Sequence, residues 1–270
     1  PFLLGLSGLE PLIEAFSIPG YGKSLAVALI SATLGTALAA LFAAALLVGV
    51  SSSRANWLSA AMPPLLAAPH AAMAVGLAFL IAPSGWLIRL VSPGLTGFQR
   101  PPLFSLLQDE WGLSLAVGLA LKEMPFIVLL ALSAGRRESL EPFYKAARSL
   151  GYPPHSAFLK VIGPQLMKTM TLPITIAFIY GLSAVDMAAV LGPTTPAPLS
   201  VMALSKLSDP SPDGWRLGLA LSVHLAVLTL AALLLASGAF HLARGTARRW
   251  ASSGARDTLA GSGLAVSGVL

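Results

Sequence analysis

SLAVALISATLGTALAALFAAALLVGV, residues 24–50, contains no Asp, Glu, Lys or Arg. A helix rises about 1.5 Å per residue, so this run outreaches the roughly 30 Å of hydrocarbon in a bilayer. Ala26, Ala28, Ser31, Gly35 and Ala39 are small side chains of the kind that let helices pack closely in lipid. Length, lack of charge and small residues together read as a membrane-spanning helix.

Four more runs extend that reading: 57–82, 111–134, 169–191 and 217–240. The run 57–82 carries Pro63, Pro64 and Pro69 in its first half and is expected to start broken or kinked. The others carry isolated polar residues: Lys122 and Glu123, Asp186, and His224. Continuous apolar runs do not fit a β-barrel, whose strands alternate over about ten residues. The composition agrees, with 56% hydrophobic residues against 10% charged and a mean hydropathy of +0.79, far from the roughly one-quarter charged of a soluble domain. The expected fold is an all-α polytopic transmembrane helical bundle with lipid around it. Pro1 in place of Met reads as a truncated or processed start, with the end of a further span in residues 2–9. Residues 251–270, rich in Gly, Ser and Ala, read as a flexible tail or linker after a transmembrane domain over 1–250.

Absences limit the chemistry. No Cys is present, which excludes disulfides, iron–sulfur ligation and thiolate zinc sites, and none of the four His forms an i, i+4 pair. No Walker loop, GxGxxG, triad or paired carboxylates appear, so the chain is not expected to be an enzyme and calls for no cofactor or metal. A net charge of +6 could suggest nucleic acid, but its distribution points to membrane sidedness instead. The 51–56 turn, the 135–168 segment and the chain after 241 hold eleven Lys and Arg; the alternate connections hold five, with six of the acidic residues. Positive-inside sorting puts the first set in the cytoplasm.

One cytoplasmic segment is longer than a return between spans needs: GRRESLEPFYKAARSLGYPPHSAFLKVIGPQLMK, residues 135–168. Leu140, Tyr144, Ala147 and Leu150 share one helix face, Gly151 suits a left-handed cap, and Pro153 and Pro154 forbid continuation. A second short helix with Ala157, Phe158, Val161 and Ile162 is expected to close at Gly163 and Pro164. The pair reads as a knob projecting into the cytoplasm.

This pattern resembles the signature loop of ABC-importer permeases, the inner-membrane components of binding-protein-dependent transport systems. The family runs Glu-Ala-Ala, three residues, Gly, nine residues, Ile, any residue, Leu-Pro. Here Lys145-Ala146-Ala147 precedes Gly151, and nine residues on come Val161, Ile162, Gly163 and Pro164. Lys145 replaces the usual Glu and Gly163 the usual Leu. The Lys122-Glu123-Met124-Pro125-Phe126 run is similar, more weakly, to thiamine-type and related fused permeases. The resemblance implies the type I importer permease fold, a bacterial multi-pass inner-membrane location, and partnership with cytoplasmic ABC ATPase subunits, a periplasmic solute-binding protein and a second permease half, fused or separate. It also implies that Lys145, Ala146, Ala147, Leu150, Gly151, Val161 and Pro164 form the ATPase-docking loop, with Ala146 and Ala147 permitting close approach.

Charges in hydrocarbon cost on the order of 3 kcal/mol or more and so face the bundle interior, a partner or water. Counting about 1.5 Å per residue from the outer end of each run, His70, Lys122, Glu123 and His224 fall in one central layer and Asp186 near the outer end. Lys122 and Glu123 point about 100° apart on a helix, so each needs its own partner. The layer either lines the translocation path or forms an interhelical network that fixes packing. A rival reading is an ion-coupled secondary transporter using Lys122, Glu123 and Asp186.

Overall fold

The computed structural model describes residues 8–49, 52–103, 106–137 and 141–252. The chain runs through α1 (Glu10–Ala15), α2 (Tyr21–Gly49), α3 (Ser52–Ala67), α4 (His70–Ile81), α5 (Trp86–Val91), α6 (Leu113–Arg137), α7 (Glu141–Ser149), α8 (Pro154–Ala157), a π-helical turn (Phe158–Ile162), α9 (Gly163–Ser183), α10 (Asp186–Leu191), α11 (Leu199–Leu207) and α12 (Pro212–Ser252). No strand occurs among the described residues, so the bundle is all-α. The expected partial span at the start falls largely on residues 1–7, and the tail from 253 onward also lies outside the described residues; α12 itself continues through Ser252.

The centre of the bundle is α6, with 56% of its apolar window buried, against 17% for the window in α12. Small residues explain the contrast. A Cβ on Gly35 of α2 would stand 3.0 Å from the Ala116 carbonyl oxygen, and one on Gly181 of α9 would stand 3.2 Å from Ala32 Cα. Backbones therefore meet almost directly, which is how helices gain dispersion contact where lipid supplies no hydrophobic drive. α6 starts on a dense cap: both Asp109 carboxylate oxygens accept from the backbone N–H groups of Trp111, Leu113 and Ser114, and the Ser114 hydroxyl also donates to it. Partial burial pushes the Asp109 carboxyl up, and these donors outweigh it, holding it below the usual carboxylate range.

Four stretches are long and apolar enough to span: Tyr21–Leu47, His70–Val91, Leu113–Ala134 and Pro212–Gly238. A fifth is bent, with 72° between Pro154–Met167 and Thr169–Ser183. The structure locates the expected break in 57–82 and changes two other expectations. The run 57–82 is two helices, divided at Ala68 and Pro69, and the spanning stretch begins at His70. Pro63 and Pro64 stay inside α3; Pro69 breaks it, with φ −58° and ψ 143°, because proline disfavours helical geometry in the residue before it. The run 169–191 is likewise interrupted at Ala184 and Val185, so Asp186 opens the separate helix α10. Gly163 and Pro164 do not close the second knob helix. The π turn satisfies Gly163 by an N–H bond to the Phe158 carbonyl, and Pro164 occupies the first turn of α9, where its missing N–H costs little. The bend comes later, near 168, where Pro173 cannot donate to the Thr169 carbonyl one turn back.

Connections expected on one side of the membrane meet at one end of the bundle. At one end Lys23 pairs with Glu110 at 3.0 Å and lies 5.9 Å from the Trp111 ring centre, while the Ser24 hydroxyl donates to the Ala197 carbonyl. At the other, Ala131 and Ala134 of α6 pack with Tyr144, Phe158, Ile162 and Leu166.

Candidate functional site

The knob is built by a helix stop. Gly151 adopts φ +86°, its N–H bonds the Arg148 carbonyl at 3.0 Å, and the Tyr152 N–H bonds the Ala147 carbonyl at 3.2 Å. These two bonds are the Schellman pair, satisfying carbonyls that a helix end otherwise orphans. The Arg148 guanidinium donates to the Tyr152 carbonyl at 2.5 Å and fixes the outgoing chain. Lys145 pairs with Glu141 one turn earlier at 2.9 Å, an exposed pair worth a few tenths of a kcal/mol. Phe143, Ala146 and Leu150 are exposed, with Leu150 at 65%. Ala147 is buried at 5% whereas Ala146 is exposed, so of the two alanines only Ala146 presents its side chain outward. The reason is the Schellman turn, which folds α8 and the π turn back against the Ala147 face. Val161 is half-buried in the packing beneath, and Pro164 is exposed.

Deeper in the bundle, Lys122 is buried at 2% and its ammonium donates to three backbone carbonyls, of Ala68 at 2.6 Å, Leu66 at 2.7 Å and Leu65 at 3.4 Å. Leu65 and Leu66 belong to the last turn of α3, where carbonyls lack helical partners and the helix dipole is negative. An ammonium has three N–H donors and meets three acceptors. Glu123, the next residue, faces the other side of the same break: its Oε1 is 3.6 Å from His70 Nε2, on the first residue of α4, where the dipole is positive. The two adjacent charges on α6 thus grip opposite ends of a broken helix.

The His70 ring stacks against Tyr180 with centroids 4.4 Å apart, and the Tyr180 hydroxyl donates to Asp186 Oδ1 at 3.0 Å. Glu123, His70 and Asp186 are therefore connected through Tyr180, which sequence reading passed over because a tyrosine in an apolar run carries no positional signal. His224 is elsewhere. Its Nδ1 lies 3.0 Å from the Tyr21 hydroxyl, at the start of α2, and its ring is 4.7 Å from that of Phe16. Counting along separate straight spans does not show these contacts: α12 begins at Pro212 and packs beside α1 and α11, and the break before α10 sets Asp186 against Tyr180. At the same end as Lys23, a depression of about 540 Å³ opens between Pro19, Gly20, Ala188, Thr194, Pro196 and Lys206.

No family model matches the chain. Over 224 residues it is 29% identical to the inner membrane ABC transporter permease protein YnjC of Escherichia coli (strain K12), a stretch that makes up 82% of this chain and 42% of that protein. The chain thus spans less than half the length of this curated relative. The likeness agrees with the ABC-permease resemblance of the docking-loop motif; it does not reach the narrower thiamine-type group. With the apolar helices, it supports a multi-pass inner-membrane protein.

Proposed function

We propose that this ABC permease is the membrane-spanning subunit of an ATP-driven, binding-protein-dependent importer that carries a small solute across the inner membrane. The knob carries the proposal. It caps one end of α6, shows Phe143, Ala146 and Leu150 outward, and is held to one shape by the Gly151 turn. A small apolar surface presented rigidly among charges on the cytoplasmic side suits a protein cleft. Cytoplasmic ABC ATPase subunits seat on it and hydrolyse ATP, and their closure moves the knob and rocks the spans. A periplasmic solute-binding protein engages the opposite end, around the depression beside Lys206, and a second permease half, fused or separate, completes the translocation pathway.

Ion-coupled transport is the reading this must displace. Carriers of that kind use unwound backbone carbonyls to hold a free cation. Here the carbonyls at the α3 break are filled by the chain's own ammonium from Lys122. The test is solute uptake in proteoliposomes containing both permease halves, with the solute-binding protein supplied on the outer side, with and without the ATPase. Uptake that needs both ATPase and ATP is expected; uptake driven by an ion gradient without the ATPase would replace the importer reading with a carrier.

A further inference from the structure

A break in a membrane helix is a place where the helix can give, and one neighbouring helix, α6, places polar side chains against both sides of the break at Ala68 and Pro69. That helix, α6, also reaches the knob. Ala131 and Ala134 near its far end are buried against Ile162, Leu166 and Met170, in the cluster that takes in Tyr144 of α7. From Ala134 to Lys122 is about 18 Å of helix at 1.5 Å per residue, with Pro125 inside it, where the Leu121 carbonyl loses its N–H partner. The knob contact and the grip therefore lie on one element.

We propose that Lys122 and Glu123 form a coupling staple: α6 holds the α3 end through Lys122 and the α4 start through Glu123 and His70, so that displacement of the docking knob is delivered to the α3–α4 break. The proposal rests on the importer reading above. The pair are positioning residues, acting on backbone and on His70 and not on solute. Their arrangement goes beyond neutralisation, because a single counter-ion would satisfy either charge, whereas these two address the negative and positive ends of successive helices. Tyr180, stacked on His70 and bonded to Asp186, extends the staple to α9 and α10, so the outer-end helices register the angle at the break.

The chain has no cysteine, so a spin-label pair at Ala60→Cys in α3 and Val75→Cys in α4, both exposed, reports the break angle in the permease–ATPase complex. With Lys122 present, we expect one narrow distance without nucleotide and a different narrow distance with trapped ATP. Lys122→Met should broaden both distances into one nucleotide-independent distribution and lower solute moved per ATP hydrolysed about tenfold, while Lys122→Arg, which keeps donors for the carbonyls, should restore most of both. If Lys122→Met fails to insert, Glu123→Gln decides: a drop of about threefold or more in the same ratio supports the staple, and an unchanged ratio overturns it. Narrow, nucleotide-dependent distances and an unchanged ratio in Lys122→Met would also overturn it while leaving the importer intact. Failure of the importer reading would show separately, as uptake by the unsubstituted permease that needs no ATPase.

Discussion

Replacing Gly151 with Val tests the proposed docking role of the knob at the point where its geometry is most demanding. Gly151 sits at φ +86°, and a side chain with a branched Cβ there costs about 1–2 kcal/mol. Relaxing that strain means leaving the left-handed region, which gives up the 3.0 Å and 3.2 Å bonds that close the turn and releases Tyr152 and the start of α8. The capped form is therefore depopulated by about 5–30-fold relative to alternatives, and a partner that binds only the capped form loses affinity by up to the same factor. The cost stays local, because the turn lies outside the spans, so insertion and orientation should be preserved. Gly151→Asn, a residue that tolerates positive φ, should lose far less. Titrating the ATPase onto detergent-purified permease, with uptake in parallel, separates these outcomes. Equal ATPase affinity for the Val and Asn variants and the unsubstituted protein would show that the partner does not read the turn. Ala147→Asp is not an equivalent probe, since Ala147 is buried and an aspartate there would unseat α7 itself; Ala146→Asp, on the exposed face, is the docking variant.

Other tests address the fold directly. Asp109→Ala removes the acceptor for four bonds at the start of α6, and since the carboxylate is partly solvated the loss should be about 0.5–1 kcal/mol, read as a lower unfolding temperature at neutral pH. Because its folded-state affinity for a proton is depressed, this contribution is present above the ordinary carboxylate range and disappears as pH falls through the folded value, so the gap between variant and unsubstituted protein should close in acid. A gap that widened in acid would contradict that sign. Gly35→Val should destabilise by about 1–3 kcal/mol through overpacking against the Ala116 backbone, while Gly76→Ala, with nothing within 4 Å, should be close to neutral in the same thermal assay. In intact cells, an impermeant maleimide should label Gln99→Cys and Ser211→Cys but not Ser149→Cys; labelling of Ser149→Cys from outside would reverse the topology.

Local chemistry decided much of this protein within its sequence. Uncharged runs such as 24–50 exceed the thickness of a bilayer whatever surrounds them, the basic residues cluster in alternate connections, and Gly151 before Tyr152, Pro153 and Pro154 leaves the chain little choice but a helix stop. Each is a property of neighbours in the chain, so it can be read in one dimension. Tertiary structure decided what depends on neighbours in space. Three prolines in 57–82 look alike in sequence, yet only Pro69 ends a helix, where Lys122 on another helix can donate to the freed carbonyls. Glu123 and Asp186 are linked through His70 and Tyr180 because a break that hydropathy does not mark sets α10 against Tyr180, and His224 pairs instead with Tyr21 because α12 packs beside α1. Apolar content sets how long a helix is; where it bends, and which polar group faces its broken end, follow from contacts that close only when the whole bundle packs.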